Sequence, residues 1–366
     1  MFAKKNACRG CFDTIKTSPL KKRPIPRSIA GPGLLAHTLM AKYQDHLPLY
    51  RQEQMLTRIG IDIPRATLSL WVIKSAQLLE PLVKLMEETI QDYDVAWADE
   101  TRLQVLKEPG RKAKTKSWMW AFGGGPPDKF CLVYRYDTSR GHEVPYGFLG
   151  GFKGYLHCDG YSAYDLLSIK TGVTQVGCWY HARRKFTDAE KVSDKPGLAT
   201  QAIKKIGVLA SVEANIKEQQ LDAAAAYHYR NEYATPIIDE FKTWLDENRP
   251  KTPPKSLIGK AMTYASNQWP KLQNYLADGR LENNNNRMER AFKSFAVGRK
   301  NWMFSNSVQG ARSGAIIYSL IETCKAHNVE PYDWFRCVLA KLPDCNTAAD
   351  LEALLPFNIS LCSSHP

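Results

Sequence analysis

The sequence lacks any apolar run of about eighteen residues, so no transmembrane helix is expected. A secretory signal is not expected either, because no apolar stretch follows the basic residues Lys4 and Lys5. Acidic residues are scarce, since 37 Asp and Glu accompany 50 Lys and Arg and leave a net charge of +13. This imbalance favours a polyanionic partner, most often nucleic acid.

A disulfide framework is not favoured, because the nine Cys are odd in number and scattered along the chain. Reduced thiols in a cytoplasm fit this usage better. There is no internal repeat, and the one low-complexity run is residues 283–286, which are all Asn. The 366 residues, of which 44% are hydrophobic, therefore predict two or three domains with real cores.

Residues 1–30 combine many basic side chains with one acid, Asp13, and end in Pro and Gly residues. This composition predicts a basic arm and linker. Within it, Cys8 and Cys11 form a CxxC pair, which is half of a four-cysteine zinc site, and the next cysteine is Cys131. Two interpretations stay open: an exposed thiol pair without metal, or the remnant of a zinc ribbon.

The spacing of apolar residues predicts helices over residues 34–90, with a break at Gly60 and a new helix near Pro64. Such a pair is compatible with a DNA-binding helix-turn-helix and equally with a plain helical hairpin. Strand-like apolar runs then lie at residues 93–98, 118–122, 130–134, 154–158 and 174–178. Residues 190–280 are again helical in character. The predicted class is therefore α/β.

Two aspartates follow strand-like runs: Asp99 comes after residues 93–98, and Asp159 comes after residues 154–158. Acids at the ends of neighbouring strands can meet, and carboxylates are the ligands that Mg²⁺ needs for phosphodiester cleavage. Each could instead be a capping or turn aspartate. Glu289 is the third candidate, expected in an early turn of a helix after the Asn run. It could also belong to a surface salt-bridge network.

Basic side chains near these acids are candidates for contacts to DNA phosphates, although a solvated helix face is an alternative. They are Arg183, Arg184, Arg290, Arg299 and Lys300. Cys178 and His181 form a CxxH pair that could bind zinc, but no second pair stands at a fitting distance. We therefore interpret these two residues as structural supports of the site.

Several long motifs, in order along the chain, resemble those of the insertion-sequence-66 family of bacterial transposases. They are LPLYRQE at 47–53, ADET at 98–101, HCDGYSAYD at 157–165, GCWYHARRKF at 177–186, NNRMERA at 285–291, GRKNWMF at 298–304 and YSLIETCK at 318–325. The resemblance covers roughly residues 20–335. The chain departs from the family at its start, where a fuller zinc-ribbon-like segment is usual, so a truncated product is one expectation.

The resemblance implies a ribonuclease H-like catalytic core, a mixed sheet with flanking helices, with a helical N-terminal domain and a helical insertion. Asp99, Asp159 and Glu289 become the acidic (DDE) triad, which binds two Mg²⁺ ions or Mn²⁺ in their place. The implied reaction is cleavage at the ends of an insertion sequence and transfer of the 3′ hydroxyl into target DNA. The expected partners are both DNAs, a second copy of the chain and accessory proteins of the element, in the bacterial nucleoid.

The expected division of the chain follows from these motifs. It comprises a basic arm (1–30), a helix-turn-helix-like region (31–90), the first part of the catalytic core (91–190), the helical insertion (191–279), the last part of the core (280–335) and a C-terminal tail (336–366). Two rival functions remain. One is a decayed transposase that only binds DNA, and the other is a nuclease or resolvase that cuts DNA without joining it.

Overall fold

The computed structural model describes residues 5–7, 15–17, 22–192 and 195–359. The strands are β1 Lys5–Ala7, β2 Ile15–Thr17, β3 Val95–Lys107, β4 Lys116–Gly124, β5 Cys131–Asp137, β6 Tyr155–His157, β7 Thr174–Val176 and β8 Ser305–Ser307. The helices are α1 Pro32–Tyr43, α2 Leu49–Arg58, α3 Arg65–Gln91, α4 Glu143–Leu149, α5 Asp165–Thr171, α6 Trp179–Glu190, α7 Leu198–Glu218, α8 Ala223–Tyr233, α9 Thr235–Asn248, α10 Leu257–Leu272, α11 Asn286–Trp302, α12 Val308–Ala326, α13 Pro331–Lys341 and α14 Ala348–Glu352. Cys8 and Cys11 lie outside the described residues.

The central sheet has the strand order β5-β4-β3-β6-β7. β5, β4 and β3 are antiparallel, whereas β6 and β7 run parallel to β3. Parallel neighbours need crossover connections, and α4 and α5 lie in these connections. The strand β8 extends the sheet at the far end of β3, where Val105 pairs with Ser305. This mixed sheet with flanking helices confirms the α/β prediction and the ribonuclease H-like core.

The first strand of the core is longer than the sequence predicts. β3 continues past Asp99 to Lys107, so the expectation that the chain leaves the sheet at Asp99 is wrong. The physical reason is the antiparallel partner β4, which pairs without interruption from Asp99 opposite Ala121 to Gln104 opposite Lys116. A strand can contain polar residues when its backbone groups are paired with a neighbouring strand and the polar side chains have hydrogen-bond partners of their own. The other four predicted strands are confirmed within a few residues.

The edge strand β5 is protected by side chains of the helix α12. The backbone N–H of Leu132 donates to Thr323 Oγ1 at 3.0 Å, and that of Tyr134 donates to Ser319 Oγ at 2.8 Å. Unpaired edge groups invite association with other chains, and these hydroxyls occupy them instead. The helix α12 is thereby fixed against the edge strand β5.

The N-terminal helices follow the predicted pattern. α2 ends at Arg58 and α3 begins at Arg65, which confirms a break around Gly60. The carboxylate of Glu53 accepts the backbone N–H of Arg65 at 2.6 Å and so ties the two helices together. Whether this pair binds DNA stays a prediction.

The segment between β7 and α11 contains α6 to α10 and confirms the helical character expected of residues 190–280. Its last long helix, α10, lies against the sheet: the backbone N–H of Gly177 donates to Lys271 O at 2.9 Å. Trp179 Nε1 donates to Leu272 O at 2.8 Å and anchors the start of α6 to the same helix end. No helix in the described part of the chain is long and apolar enough to cross a membrane.

Candidate active site

Strand register brings Asp99 and Asp159 towards each other. β3 and β6 pair in parallel from Val95 opposite Tyr155 to Trp97 opposite His157, and two further residues lead to 99 and 159. Because side chains alternate across a strand, residues 97, 99, 157 and 159 are expected on one face. Each aspartate also fixes a turn or strand N–H: Asp159 Oδ1 accepts from Tyr161 and Asp99 Oδ1 accepts from Glu100, both at 2.9 Å.

The start of β6 depends on one glycine. Gly154 has φ +132°, and a Cβ placed there would lie 2.1 Å from Asp94 O. Only glycine adopts this conformation without strain, so the close approach of the two parallel strands requires it. The position of Asp159, five residues later, follows from this contact.

The electrostatics of Asp99 reflect a concentration of negative charge. Burial is the main reason why the pKa of its carboxyl is well above the ordinary value. The charges of Glu100, Asp159 and Glu289 raise the same pKa further, and the hydrogen bond from the Glu100 N–H opposes them. Neighbouring carboxylates that raise one another's pKa repel each other when ionised, and a bound cation reduces this repulsion.

Glu289 lies in the first turn of α11, as the sequence predicts. Its Oε1 is 3.3 Å from Arg184 Nη2 and 3.7 Å from His181 Nε2, and both partners project from α6. The Glu289 side chain is about one-third exposed, at 35%. The carboxylate is therefore reachable from solvent and is balanced by basic groups in this arrangement. Burial lowers the pKa of the His181 imidazole, which favours the neutral ring.

The donor set fits a divalent metal. All three predicted ligands are carboxylates, the hard oxygen donors that Mg²⁺ and Mn²⁺ prefer. Among the described residues, no three His, Cys, Asp or Glu side chains form a group that could hold one metal ion. One or two carboxylates for each ion are nevertheless enough for Mg²⁺, because Mg²⁺ usually keeps waters and substrate phosphate oxygens among its ligands.

Two residues join the segment before Glu289 to the sheet. The backbone N–H of Asn285 donates to Cys178 Sγ at 3.3 Å, and Asn285 Nδ2 donates to Ala98 O at 3.1 Å. Asn285 is fully buried, and burial keeps Cys178 a neutral thiol by raising its pKa. Cys178 thus contacts the glutamate segment, and its role as a support of the site stays a prediction. Asn285 was not singled out by sequence reasoning, since an Asn before a helix also signals a simple cap.

A second buried network lies directly behind Asp99. The Glu100 carboxylate accepts hydrogen bonds from Tyr164 Oη at 2.7 Å and from Arg140 Nη2 at 2.6 Å. Sequence reasoning named Glu100 only as part of a motif, because its partners are 64 and 40 residues away along the chain. The network holds β3 to the segment that follows Asp159.

The predicted phosphate contacts fall into two groups. Arg183, Arg184, Arg290 and Lys300 are exposed on α6 and α11. Arg299 is half-buried, and its Nη1 donates to Thr101 Oγ1 at 3.1 Å and to Arg102 O. A groove of about 430 Å³ lies along α11 and includes one of the exposed groups, Arg290. Its lining is Asn286, Glu289, Arg290, Phe292, Lys293 and Ala296.

Comparison with known proteins agrees with this geometry. The chain matches the Transposase IS66 family over residues 27–313 and the IS66 C-terminal element over residues 319–357. The uncharacterized protein y4qI of Sinorhizobium fredii is 34% identical over 341 residues, which cover 89% of this chain and 62% of that protein. The uncharacterized protein y4jD of the same organism is 33% identical, with coverages of 96% and 70%.

A third relative from Sinorhizobium fredii, the uncharacterized protein y4hP, is 29% identical over 96% of this chain and 66% of its own length. The chain thus spans 62% to 70% of the length of these curated relatives. The family match extends over the sheet, the candidate carboxylates and the glutamate helix alike. This chain therefore belongs to the IS66 family of transposases.

Proposed function

We propose that the chain is a DDE-type transposase in which Asp99, Asp159 and Glu289 form the active site. The observation that supports the proposal is the register of β3 and β6, in which Asp99 and Asp159 each follow the paired residues Trp97 and His157 by two positions. The charges of Asp159 and Glu289 also raise the pKa of Asp99. Membership of the IS66 family supports the same assignment.

Asp99 and Asp159 would jointly hold one Mg²⁺ ion, and Glu289 would help to hold a second; Mn²⁺ can replace either. When bound, two such ions activate a nucleophile and stabilise the leaving oxygen of an in-line displacement at phosphorus. The protein's own contribution is to fix the carboxylates on rigid elements. β3 and β6 fix the aspartates, while Asn285 and Cys178 fix the start of α11.

The proposed reaction has two displacements. In the first, water attacks the phosphodiester at the element end, and the bond to the 3′ oxygen breaks to leave a 3′ hydroxyl. In the second, that hydroxyl attacks a target phosphodiester and forms a new bond to its phosphorus, while the target's own bond to the 3′ oxygen breaks and releases a target 3′ hydroxyl. Arg183, Arg184 and Arg290 would bind phosphates of the DNA, because arginine's planar fork matches phosphate oxygens. Arg184 would then release Glu289, whose carboxylate it contacts at 3.3 Å.

The remaining parts of the proposal concern the assembly. The helices α2 and α3 would bind or position element ends, and the helical segment from 191 to 279 would act as an insertion that braces the core. Transposition brings two element ends together, so a dimer or larger complex on DNA is proposed, with accessory proteins of the element as further partners. Cys8 and Cys11 remain a candidate zinc pair only.

Strand joining is the experiment that tests this function against a nuclease. A labelled duplex with a pre-cleaved element end and a free 3′ hydroxyl is incubated with supercoiled plasmid, the protein and Mg²⁺. A transposase transfers the label into the plasmid, and EDTA abolishes the transfer. Cleavage of uncut ends without any joining would instead identify a nuclease or resolvase, and tight binding without either would identify a DNA-binding protein.

Replacing Asn285 with alanine is expected to reduce cleavage about 10- to 100-fold while DNA binding changes little. The substitution removes the bond to Ala98 O and frees the segment that carries Glu289. Partners that orient metal ligands have effects of this size. The matched control is Asn301→Ala on the helix α11, where the exposed side chain donates to Val297 O within its own helix. Equal cleavage rates for both variants would show that Asn285 does not position the site.

A further inference from the structure

A basic cleft opens beside the carboxylates, where β3 has no strand partner on one edge. Among the described residues, β6 pairs with β3 up to Trp97, and β8 pairs with β3 from Val105 onwards. The residues of β3 between these two positions have no strand partner on that edge. A cavity of about 250 Å³ lies at this gap, and we call it the arginine cleft. Its lining residues are Glu100, Thr101, Arg102, Trp118, Arg140 and Arg299.

The charge of the arginine cleft is strongly positive. Three guanidinium groups face one carboxylate, and that carboxylate, Glu100, is already paired with Arg140 and with Tyr164 Oη. Arg102 is exposed and has no acidic partner in the described part of the chain. An unpaired guanidinium beside others is unfavourable unless an anion lies between them. The cleft is therefore suited to an anionic group from outside the chain.

An aromatic ring forms one wall of the cleft. Trp118 is half-buried, and the guanidinium carbons of Arg140 and Arg102 lie 4.6 Å and 5.9 Å from its centroid. Arg140 also stacks on Tyr161 at 3.8 Å. Alternating arginine and aromatic planes are the surfaces on which nucleobases stack, whereas isolated phosphate sites need only the charges.

The position and size of the cleft narrow the ligand further. Glu100 and Thr101 directly follow Asp99 on β3. Because side chains alternate, Thr101 is expected on the same face as Asp99, and Glu100 and Arg102 on the other face, so the cleft includes residues from both faces of β3 next to the proposed metal ligand. The cleft's volume of about 250 Å³ accommodates a small group such as one nucleotide.

We propose that the arginine cleft binds one nucleotide of a single DNA strand beside the reacting phosphodiester, with Arg102 and Arg299 at its phosphate and Trp118 against its base. This inference rests on the proposed transposase function and adds a binding site to it. It requires the strand to be unpaired at this point, which separates the site from duplex contacts on α6 and α11.

Binding of a fluorescein-labelled oligothymidylate of about 20 nucleotides, followed by anisotropy in EDTA over a series of KCl concentrations, tests the proposal. Arg102→Ala is expected to lower the slope of log K against log salt by about 0.7, the value for one lost phosphate contact on a single strand. Trp118→Ala is expected to weaken binding about tenfold, and Trp118→Phe much less, because a ring is retained.

Arg135→Ala is the matched control, since Arg135 is also an exposed strand arginine above an aromatic ring, Phe148, and does not line the cleft. An unchanged salt slope for Arg102→Ala, equal to that of Arg135→Ala, would overturn the proposal. So would an equal loss of affinity for a duplex of the same length. If the wild-type protein joins strands with Mg²⁺ but does not bind the oligothymidylate, the cleft is overturned and the transposase assignment stands. If the wild-type protein does not join strands, the transposase assignment falls, and the inference falls with it.

Discussion

Replacing Asp159 with asparagine abolishes Mg²⁺-dependent nicking at the element end and leaves DNA binding close to that of the wild-type protein. Asparagine keeps an oxygen that can accept the Tyr161 N–H, which Asp159 binds at 2.9 Å, but it removes the negative charge that a metal ion requires. Substitutions of residues that merely orient metal ligands cost about 10- to 100-fold. Loss of a direct ligand should therefore exceed about a hundredfold.

Asp99→Asn and Glu289→Gln are likewise expected to abolish nicking and to leave DNA binding close to that of the wild-type protein. Asp99→Asn also relieves repulsion among the carboxylates, so this variant should unfold at no lower temperature than the wild-type protein. The matched control is Asp188→Asn, an exposed carboxylate on α6 whose partner is Lys191. Cleavage at the wild-type rate in any of the three site variants would remove that residue from the triad.

Replacing Arg230 with leucine is expected to lower the free energy of unfolding by about 3–5 kcal/mol. Arg230 is buried, and its Nε and Nη2 each lie 2.8 Å from the Glu213 carboxylate. Its Nη1 donates to the carbonyls of Asp278 and Gly279 at 3.3 and 3.2 Å. Leucine leaves Glu213 without its partner and frees the chain that leads into the glutamate helix. Chemical denaturation followed by circular dichroism measures the loss.

The double variant Arg230→Leu with Glu213→Leu is the control for this prediction. Removing both charges should restore most of the stability, because the cost comes from a part-buried Glu213 carboxylate left without its partner. The exposed pair Lys191 and Asp188 offers a comparison, since Lys191→Ala should change stability by less than about 1 kcal/mol. A single Arg230 variant as stable as the wild-type protein would show that the pair does not brace the insertion.

Local patterns in the sequence predict much of this fold. Apolar runs predict the five main strands because buried strands need such residues on at least one face. The break near Gly60 and the placement of Glu289 in a first helical turn follow from turn and capping preferences, which act over a few residues. These features depend on neighbours along the chain and are therefore visible without a structure.

Features that depend on distant partners are not visible in the sequence. The polar residues after Ala98 suggest a loop, yet β3 continues because β4 pairs with it and because Arg140 and Tyr164 satisfy Glu100. Arg299 is predicted to contact DNA phosphate, and it also binds Thr101 Oγ1 and Arg102 O across the gap in the sheet. Partners about 200 residues away cannot be inferred from composition or spacing, as the separation of 198 between Arg299 and Thr101 illustrates.

Anomalous diffraction from Mn²⁺ in crystals of the protein bound to a pre-cleaved element end would locate the metal ions directly. The proposed active site predicts one peak between Asp99 and Asp159 and a second beside Glu289, with the Glu289 carboxylate released from Arg184. Mn²⁺ bound elsewhere, or a Glu289 that still pairs with Arg184 in a complex able to join strands, would contradict the assignment of these three carboxylates as the catalytic centre.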